Sequence, residues 1–527
     1  MFTVARNIKE GLKEDVTRIL VSSLKAPTHL TQDTPIIEDT KTVSSYNWLA
    51  EHETDSDVPT IQVPGAPPIL HLPKGRPPMK LQADSGHHFI DQNACRMKGN
   101  SGLIPGLAAC HAYKKDFNIT DYDVVTDRNN LIKLFELIEL SLVGNKDAVT
   151  PVTSTPWRAP SIEAAAAKRG RGRGRGGSRG AHPFFQQLSP VHGRGIESMD
   201  RRAETTRIDV DVVSGYDNDT GKYIYDESSV KKTLVLTRWE PANEEVVISS
   251  IDFRGFGHSF LTETRQFLSF EDGRVNHRGP EDVTGYHCLV EYKLFGMKLL
   301  VRYHADACDM TKDEFVKWIS QDSIRDLEES DTQSEGDSDD GSEDRTLYES
   351  PVTDTFDLLD AFKTLSVKTE QKSNVPVKLL SSLKPTSPQG NNPDVVSLPK
   401  IPIDIIPTPN AVFPGDKILQ VKTRGKHTGL NLEKLYTQLF FSQTRNVFVA
   451  YHTRGLFSET ETSKDDITAG MSKWADDNKE LLKKLTSLFR EIKETVGGMG
   501  GKGALGFILK KKLNDDPVVL DIQARTN

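Results

Sequence analysis

Apolar positions fall into three blocks, separated by two long stretches with no periodicity. In the first block Val124, Val125, Leu131, Leu134, Phe135 and Ile138 form a stripe at helical spacing, which predicts a helix over 121–140. In the second, RIDVDVV from Arg207 and KTLVLTRWE at 232–240 read as strands. HCLVEYKL at 287–294 and MKLLVRYHAD at 297–306 follow, two β-rich runs joined by Phe295-Gly296, the pattern of a hairpin. Side chains two apart on a strand share a face, so His304 and Asp306 point the same way at its end. In the third block KILQVKT at 417–423 predicts a strand with Gln420 and Lys422 on one face. Leu432, Leu435, Leu439 and Phe440 then predict a helix carrying Gln438, and NVFVAYH at 446–452 a further strand turning at Gly455. From Met471 to Ile492 the residues Trp474, Leu481, Leu482, Leu485, Leu488, Phe489 and Ile492 share one side of a helix. That side suits core packing, with docking of a protein partner as the alternative.

The breaks give the domain map. A polar N-terminal segment spans 1–45, and pieces of one domain span 46–144, 204–319 and 411–495. An RGG-rich insertion occupies 145–203, an acidic and Pro-rich insertion 320–410, and a Gly-rich tail 496–527. Both insertions are expected to be disordered, because neither has the apolar content to form a core. The Pro-rich VPGAPPILHLPKGRPP at 63–78 has no periodicity and is expected to wrap a globular surface. The expected fold class is mixed α/β, a sheet flanked by helices.

Composition changes this picture in three ways. A hydrophobic content of 36% and a mean hydropathy of −0.48 leave much of the chain outside any core. The four cysteines, Cys95, Cys110, Cys288 and Cys308, lack paired metal spacing, which fits a reducing compartment without a disulfide framework. No apolar run has membrane-spanning length, and MFTVARNIKEGLKEDVTRIL lacks the apolar stretch of a secretory signal. A soluble intracellular protein, nuclear or cytoplasmic, with no membrane partner, is therefore expected. The net charge of −8 is segregated. Lys168, Arg169, Arg171, Arg173, Arg175 and Arg179 alternate with glycine, flexible cations suited to following an RNA backbone, with Phe184 and Phe185 nearby for stacking. A solvated linker or basic import signal is the plain alternative. The acidic run at 326–344 reads as a solvated linker or a competitor for the basic segment. GGMGGKGA at 497–504 is not a phosphate loop, because its spacing is one short, no Ser or Thr follows the lysine, and it follows a helix.

A strand ending in an acid, a strand with polar-x-Lys and a helix carrying Gln make the layout of PD-(D/E)XK metal-dependent nucleases. Those enzymes converge carboxylates because Mg²⁺ or Mn²⁺ needs oxygen ligands and then activates water. An ordinary α/β sheet with polar strand ends has the same layout. Read in chain order, DYDVVTDRNNLIKLFE (121–136), RIDVDVV with KTLVLTRWE, GFGHSF (255–260), YHCLVEYKLFGMKLLVRYHADACD (286–309), ILQVKTR (418–424) and LEKLYTQLFFSQTRNVFVAYHTRGLF (432–457) resemble the blocks of the Rai/DXO family of RNA 5′-end decapping nucleases. The resemblance implies RNA as partner, Mg²⁺ or Mn²⁺ as cofactor if active, and hydrolysis of phosphodiester or pyrophosphate bonds. It implies Arg128 as an RNA-holding residue, Asp306 as metal ligand, Lys422 as the water-positioning group and Gln438 as its support. The family's other acids fall on Leu261, His304 and Gln420, so His304 and Gln420 are left as substitute ligands beside Asp306. Glu263 and Asp309 lie close in sequence as stand-ins. Whether catalysis survives these replacements stays open, and an inactive RNA-binding or protein-interaction module on the same scaffold is the alternative.

Overall fold

The structure, a computed structural model, describes residues 7–49, 58–72, 75, 77–84, 87–88, 92–97, 102–143, 205–240, 246–247, 255–271, 274–278, 283–318, 403–408, 411–499, 505–510 and 518–525. The elements around the site are β1 (Val124–Asp127), β2 (Val283–Leu294), β3 (Met297–His304), β4 (Ile418–Gly425), β5 (Asn446–Thr453) and β6 (Leu456–Asp466). The helices beside them are α1 (Arg128–Val143), α2 (Gly257–Thr264), α3 (Leu432–Ser442), α4 (Thr468–Asp477) and α5 (Lys479–Gly498).

Two large mixed sheets and flanking helices make an α+β architecture. The first sheet has eleven strands in the order Leu12–Leu20, Val519–Arg525, Leu505–Lys510, Thr205–Val213, Thr233–Arg238, β1, β3, β2, Ile37–Leu49, Thr60–Val63, Asp404–Pro407. β1 lies at its centre, parallel to both neighbours. The second has eight, in the order Arg274–Arg278, Arg265–Glu271, Ile69–Leu70, Ala307–Cys308, β4, β5, β6, Met79–Lys80, with β4 and β5 parallel. Short two-stranded pairs join His87–His88 to Val246–Val247 and Gly215–Asp217 to Lys222–Ile224.

The local chemistry accounts for the site elements. Phe295 (φ 48°) and Gly296 (φ 80°) both turn left-handed, the two-residue turn that matches strand twist, and so close the β2–β3 hairpin. The Asn431 side chain accepts from the Lys434 amide at 3.0 Å and starts α3, which ends at Gln443 in the left-handed region (φ 53°). Leu131, Leu134, Phe135 and Ile138 bury one face of α1 against α3 and α5, with the Phe135 ring 5.9 Å from Phe441 and 5.5 Å from Trp474. Each such ring contributes about 1.5–3 kcal/mol by burial.

Several expectations from sequence are corrected. The stretch 124–127, taken as the start of a helix, is a strand with all four residues buried. Its Val-Val-Thr run is β-branched, and pairing on both sides overrides the helical spacing. The N-terminal segment supplies Leu12–Leu20 and most of Ile37–Leu49, and the Gly-rich tail supplies Leu505–Lys510 and Val519–Arg525, all in the first sheet. The Pro-rich stretch contributes Ile69–Leu70 to the interior of the second sheet rather than only coating it. The apolar helix at 471–492 is two helices, α4 and α5. Trp474, Leu482, Leu485, Leu488, Phe489 and Ile492 are buried in the chain's own core, so that face is not free for a partner. Among the described residues no helix is long and apolar enough to cross a membrane. Most of both insertions lies outside the described residues, apart from 403–408, which holds the edge strand Asp404–Pro407.

Candidate functional site

Three pieces of chain meet at one carboxylate. Asp306 follows the end of β3 and is buried where the first sheet hands over to the second. Its Oδ2 accepts from the Val421 backbone amide at 2.9 Å and from the Gln420 side-chain amide. His304 Nδ1 lies 3.7 Å from Asp306 Oδ1, with the His304 side chain 38% exposed. From β4, Lys422 Nζ donates to Gln438 Oε1 at 2.9 Å. Gln438 Nε2 in turn donates to Gln420 Oε1 at 3.4 Å, which ties α3 to β4. Arg128, the first residue of α1, donates from Nη1 to the same Gln420 oxygen at 3.5 Å and holds its guanidinium 5.8 Å over the Tyr303 ring. Arg128, His304, Asp306, Gln420, Lys422 and Gln438 therefore form one polar cluster. Arg169, Arg171, Arg173 and Arg175 lie outside the described residues.

The electrostatics follow from burial and neighbours. Burial pushes the Asp306 carboxyl up, but the His304 ring, the Lys422 charge and the Val421 amide outweigh it and hold the group below its ordinary value. Burial pulls the Lys422 ammonium down to about 8 against the attraction of Asp306. Burial also lowers Arg128, opposed by Asp306, Tyr303 and Asp127. Asp127 is already engaged by Arg302, whose Nε donates to its Oδ1 at 2.6 Å.

The donor set does not fit a divalent cation. A Mg²⁺ or Mn²⁺ site needs several converging anionic or carbonyl oxygens. Here Asp306 Oδ2 already faces two donors, and Gln420 Oε1 faces Arg128 and Gln438. Leu261 packs into the apolar cluster with Phe260, Leu419 and Val421. Neither stand-in reaches the site: Glu263 is exposed, and Asp309 is paired with Lys464. Among the described residues no group of three or more His, Cys, Asp or Glu side chains is placed to hold a metal ion. Gln420 hydrogen-bonds to Asp306 and His304 lies beside it at 3.7 Å, and neither joins a converging set of metal ligands among the described residues.

Sequence reading missed Arg265. It opens the strand Arg265–Glu271, donates from Nε to the Leu261 carbonyl at 3.2 Å and feels the charge of Asp306. The only hint was its position five residues past the GFGHSF block. A cavity of about 940 Å³ adjoins the cluster at Gln438, lined by Asn129, Asn130, Trp239, Asn431 and Thr437 among others.

Comparison with known proteins gives three findings. A family model described as a domain of unknown function (DUF8563) matches residues 24–143. No curated protein matches the sequence. Among solved structures, S. pombe Rai1 aligns over 97% of this chain and 99% of its own, at 10% identity and a TM-score of 0.40. Candida albicans Rai1 in complex with pU5 and Mn²⁺ aligns over 97% and 94%, at 8% identity and a TM-score of 0.43. K. lactis Dxo1 in complex with manganese aligns over 97% and 98%, at 8% identity and a TM-score of 0.38.

Proposed function

We propose that this chain is a divergent Rai/DXO-like protein that holds the 5′ region of RNA without cutting it. The observation that carries the reading is the cluster itself. Residues from the resembling blocks, 292 positions apart in the case of Arg128 and Gln420, meet in one hydrogen-bonded group, yet that group offers one carboxylate where metal hydrolysis needs several. Arg128 and Lys422 supply positive charge, Gln438 orients Lys422, and Asp306 anchors β4 through the Val421 amide. The RGG segment at 168–180 is read as an arm that adds salt-sensitive contacts to the RNA backbone. The hydrolytic alternative is favoured by one feature, the Lys422 ammonium drawn down to about 8 beside Gln438. Such a group is suited to positioning water.

The test is a 5′-end processing assay with triphosphate, unmethylated cap, NAD cap, monophosphate and hydroxyl ends, in Mg²⁺ or Mn²⁺. An Asp306→Ala/Lys422→Ala protein is the control. The expected result is no release of end-groups or nucleotides, with RNA retained in a salt-sensitive way. Release that the control abolishes would establish hydrolysis and overturn the binding reading.

A further inference from the structure

A buried ion pair lies one residue away from the site, on the opposite face of the first sheet. β1 and β3 run parallel, and Asp127 stands beside Arg302 near the ends of the two strands. Side chains alternate between the faces of a sheet. Val125 and Leu300 accordingly fall in one apolar cluster, and Val124, Val301 and Tyr303 in the other. Asp127 and Arg302 continue the first set, while Arg128 holds its guanidinium over the Tyr303 ring in the second. The Arg302 side chain is 2% exposed, and its Nε donates to Asp127 Oδ1 at 2.6 Å. Its Nη1 donates to the Gly102 carbonyl, just ahead of the helix Ile104–Tyr113. Gly106 of that helix leaves it room, since a Cβ there would stand 3.5 Å from Arg302 Cδ and 3.0 Å from Leu289 Cδ2.

Asp127 has a second cation next to it in the chain. Arg128 follows directly, and the Asp127 charge acts on its guanidinium. Among the described residues the one hydrogen bond of the Arg128 side chain is the 3.5 Å contact from Nη1 to Gln420, and its Nε is buried without a partner. A guanidinium held so loosely turns to any unclaimed carboxylate within reach, because a charge-assisted pair is about twice as strong as a bond between neutral groups. Arg302 claims that carboxylate first. Resting on the RNA-holding reading, we infer that Arg302 is a positioning residue: by occupying Asp127 it keeps that carboxylate from capturing Arg128, and so leaves the Arg128 guanidinium between Gln420 and Tyr303, where RNA can meet it. Arg302 itself is shut away from solvent and touches no RNA. The plain alternative is a strut, a pair that only ties β1 to β3. The two differ in sign at one position. A strut needs both partners and is harmed by loss of the Asp127 charge, whereas a guard against Asp127 has nothing left to do once that charge is gone.

The experiment measures binding of a 3′-labelled single-stranded oligoribonucleotide to the full chain in EDTA by fluorescence anisotropy, with circular dichroism on every variant. Arg128→Met sets the scale and should weaken binding at least about tenfold, the size of one charge-assisted contact. It should also lower the slope of log Kd against log salt by about 0.7, one phosphate contact on a single strand. Arg302→Met should match both losses, and the two changes together should cost no more than either alone. Asp127→Asn/Arg302→Met, which leaves a neutral pair, should restore binding and slope to within about twofold of wild type. Asp127→Asn alone should bind as wild type does. Undiminished binding by Arg302→Met, or no recovery in the double variant, would overturn the inference and leave the RNA-holding reading standing. If Arg302→Met does not fold, Asp127→Asn decides: a loss matching that of Arg128→Met is the strut's result and sinks the guard, and retained binding upholds it. Absence of binding by wild type, or an Arg128→Met protein that binds RNA equally well, would instead count against the RNA-holding reading itself.

Discussion

Two groups of buried charge in this molecule are built on opposite terms. In the first sheet Arg207 Nε donates to Asp209 Oδ1 at 2.7 Å with both side chains almost wholly buried, 2% and 0% exposed. Arg525 Nη2 lies 3.1 Å from Asp209 Oδ2 and 3.7 Å from Asp211 Oδ2, and the Tyr225 hydroxyl donates to Asp211 Oδ1 at 2.8 Å. Arg207 also donates to the Ile8 and Glu10 carbonyls and sits 5.2 Å over the Trp239 ring. Two guanidinium groups thus face two carboxylates, so the charges balance, although Asp209 Oδ2 and Arg525 Nε are buried without a hydrogen bond. Around Asp306 two cations, Arg128 and Lys422, share one carboxylate, and their hydrogen-bond partners are neutral amide oxygens. Burial alone does not separate scaffold from site; the balance of charge does.

The comparison breaks most sharply at Asp209. Asp209→Ala leaves two buried guanidinium groups short of a partner and should cost about 3–5 kcal/mol, measured by urea unfolding. A loss under about 1 kcal/mol would mean the balanced cluster is not structural. The next effect concerns the helix that carries Gln438. Asn431→Ala removes the α3 cap and should cost about 1 kcal/mol in the same measurement, and an unchanged midpoint would show that packing alone holds the helix. At the site itself the sign should reverse. Lys422→Met removes a cation whose burial outweighs its attraction to Asp306, so stability should stay within about 1 kcal/mol of wild type or rise. A loss as large as that at Asp209 would erase the distinction between the two clusters.

The smallest effect comes from a third arrangement, in which acids crowd one carboxyl. Burial, then the charges of Glu433 and Glu136, pushes the Glu139 carboxyl up to about 7 from 4.5. A carboxyl raised in the folded state keeps a proton that the unfolded chain has released. Its contribution is complete below pH 4.5 and is lost as pH rises through about 7. Glu139 is half-buried, so solvent reduces the effect, and Glu139→Gln should raise the Tm at about pH 8 by only about 2 °C. Thermal unfolding of both proteins across pH checks this; parallel curves would remove Glu139 from the account.

How much of this was legible in the sequence depended on whether neighbours in the chain were also neighbours in space. The β2–β3 hairpin was readable because Phe295-Gly296 sets its own register, and α3 because apolar spacing and Gln438 sit on one short segment. The pairing of His304 with Asp306 followed from strand geometry for the same reason. β1 was not legible as a strand, because its two long-range partners decide its state and local spacing argued otherwise. Leu12–Leu20 was hidden by polar composition, since an edge strand needs few buried positions, and Val519–Arg525, an inner strand buried from Leu520 to Gln523, was hidden by the Asp521 and Gln523 set among its apolar residues. Arg265 left almost no mark in the sequence. An arginine opening a strand carries no mark of the carboxylate it will face, and the link to Asp306 exists only after the second sheet has formed.

The edge of the first sheet has a consequence for how the molecule is made. Arg18 meets Asp521 across 503 positions of sequence, and Val519–Arg525 also bridges to Leu505–Lys510 and so to Thr205–Val213. On the ribosome, Thr205–Val213 emerges with the buried residues Ile208, Val210 and Val212 long before either late strand exists. Until they arrive that strand is an open hydrogen-bonding edge, a template for pairing with other chains. Such non-local pairing is also intrinsically slow. The nascent chain therefore carries this edge without its native partner on that side through most of its synthesis.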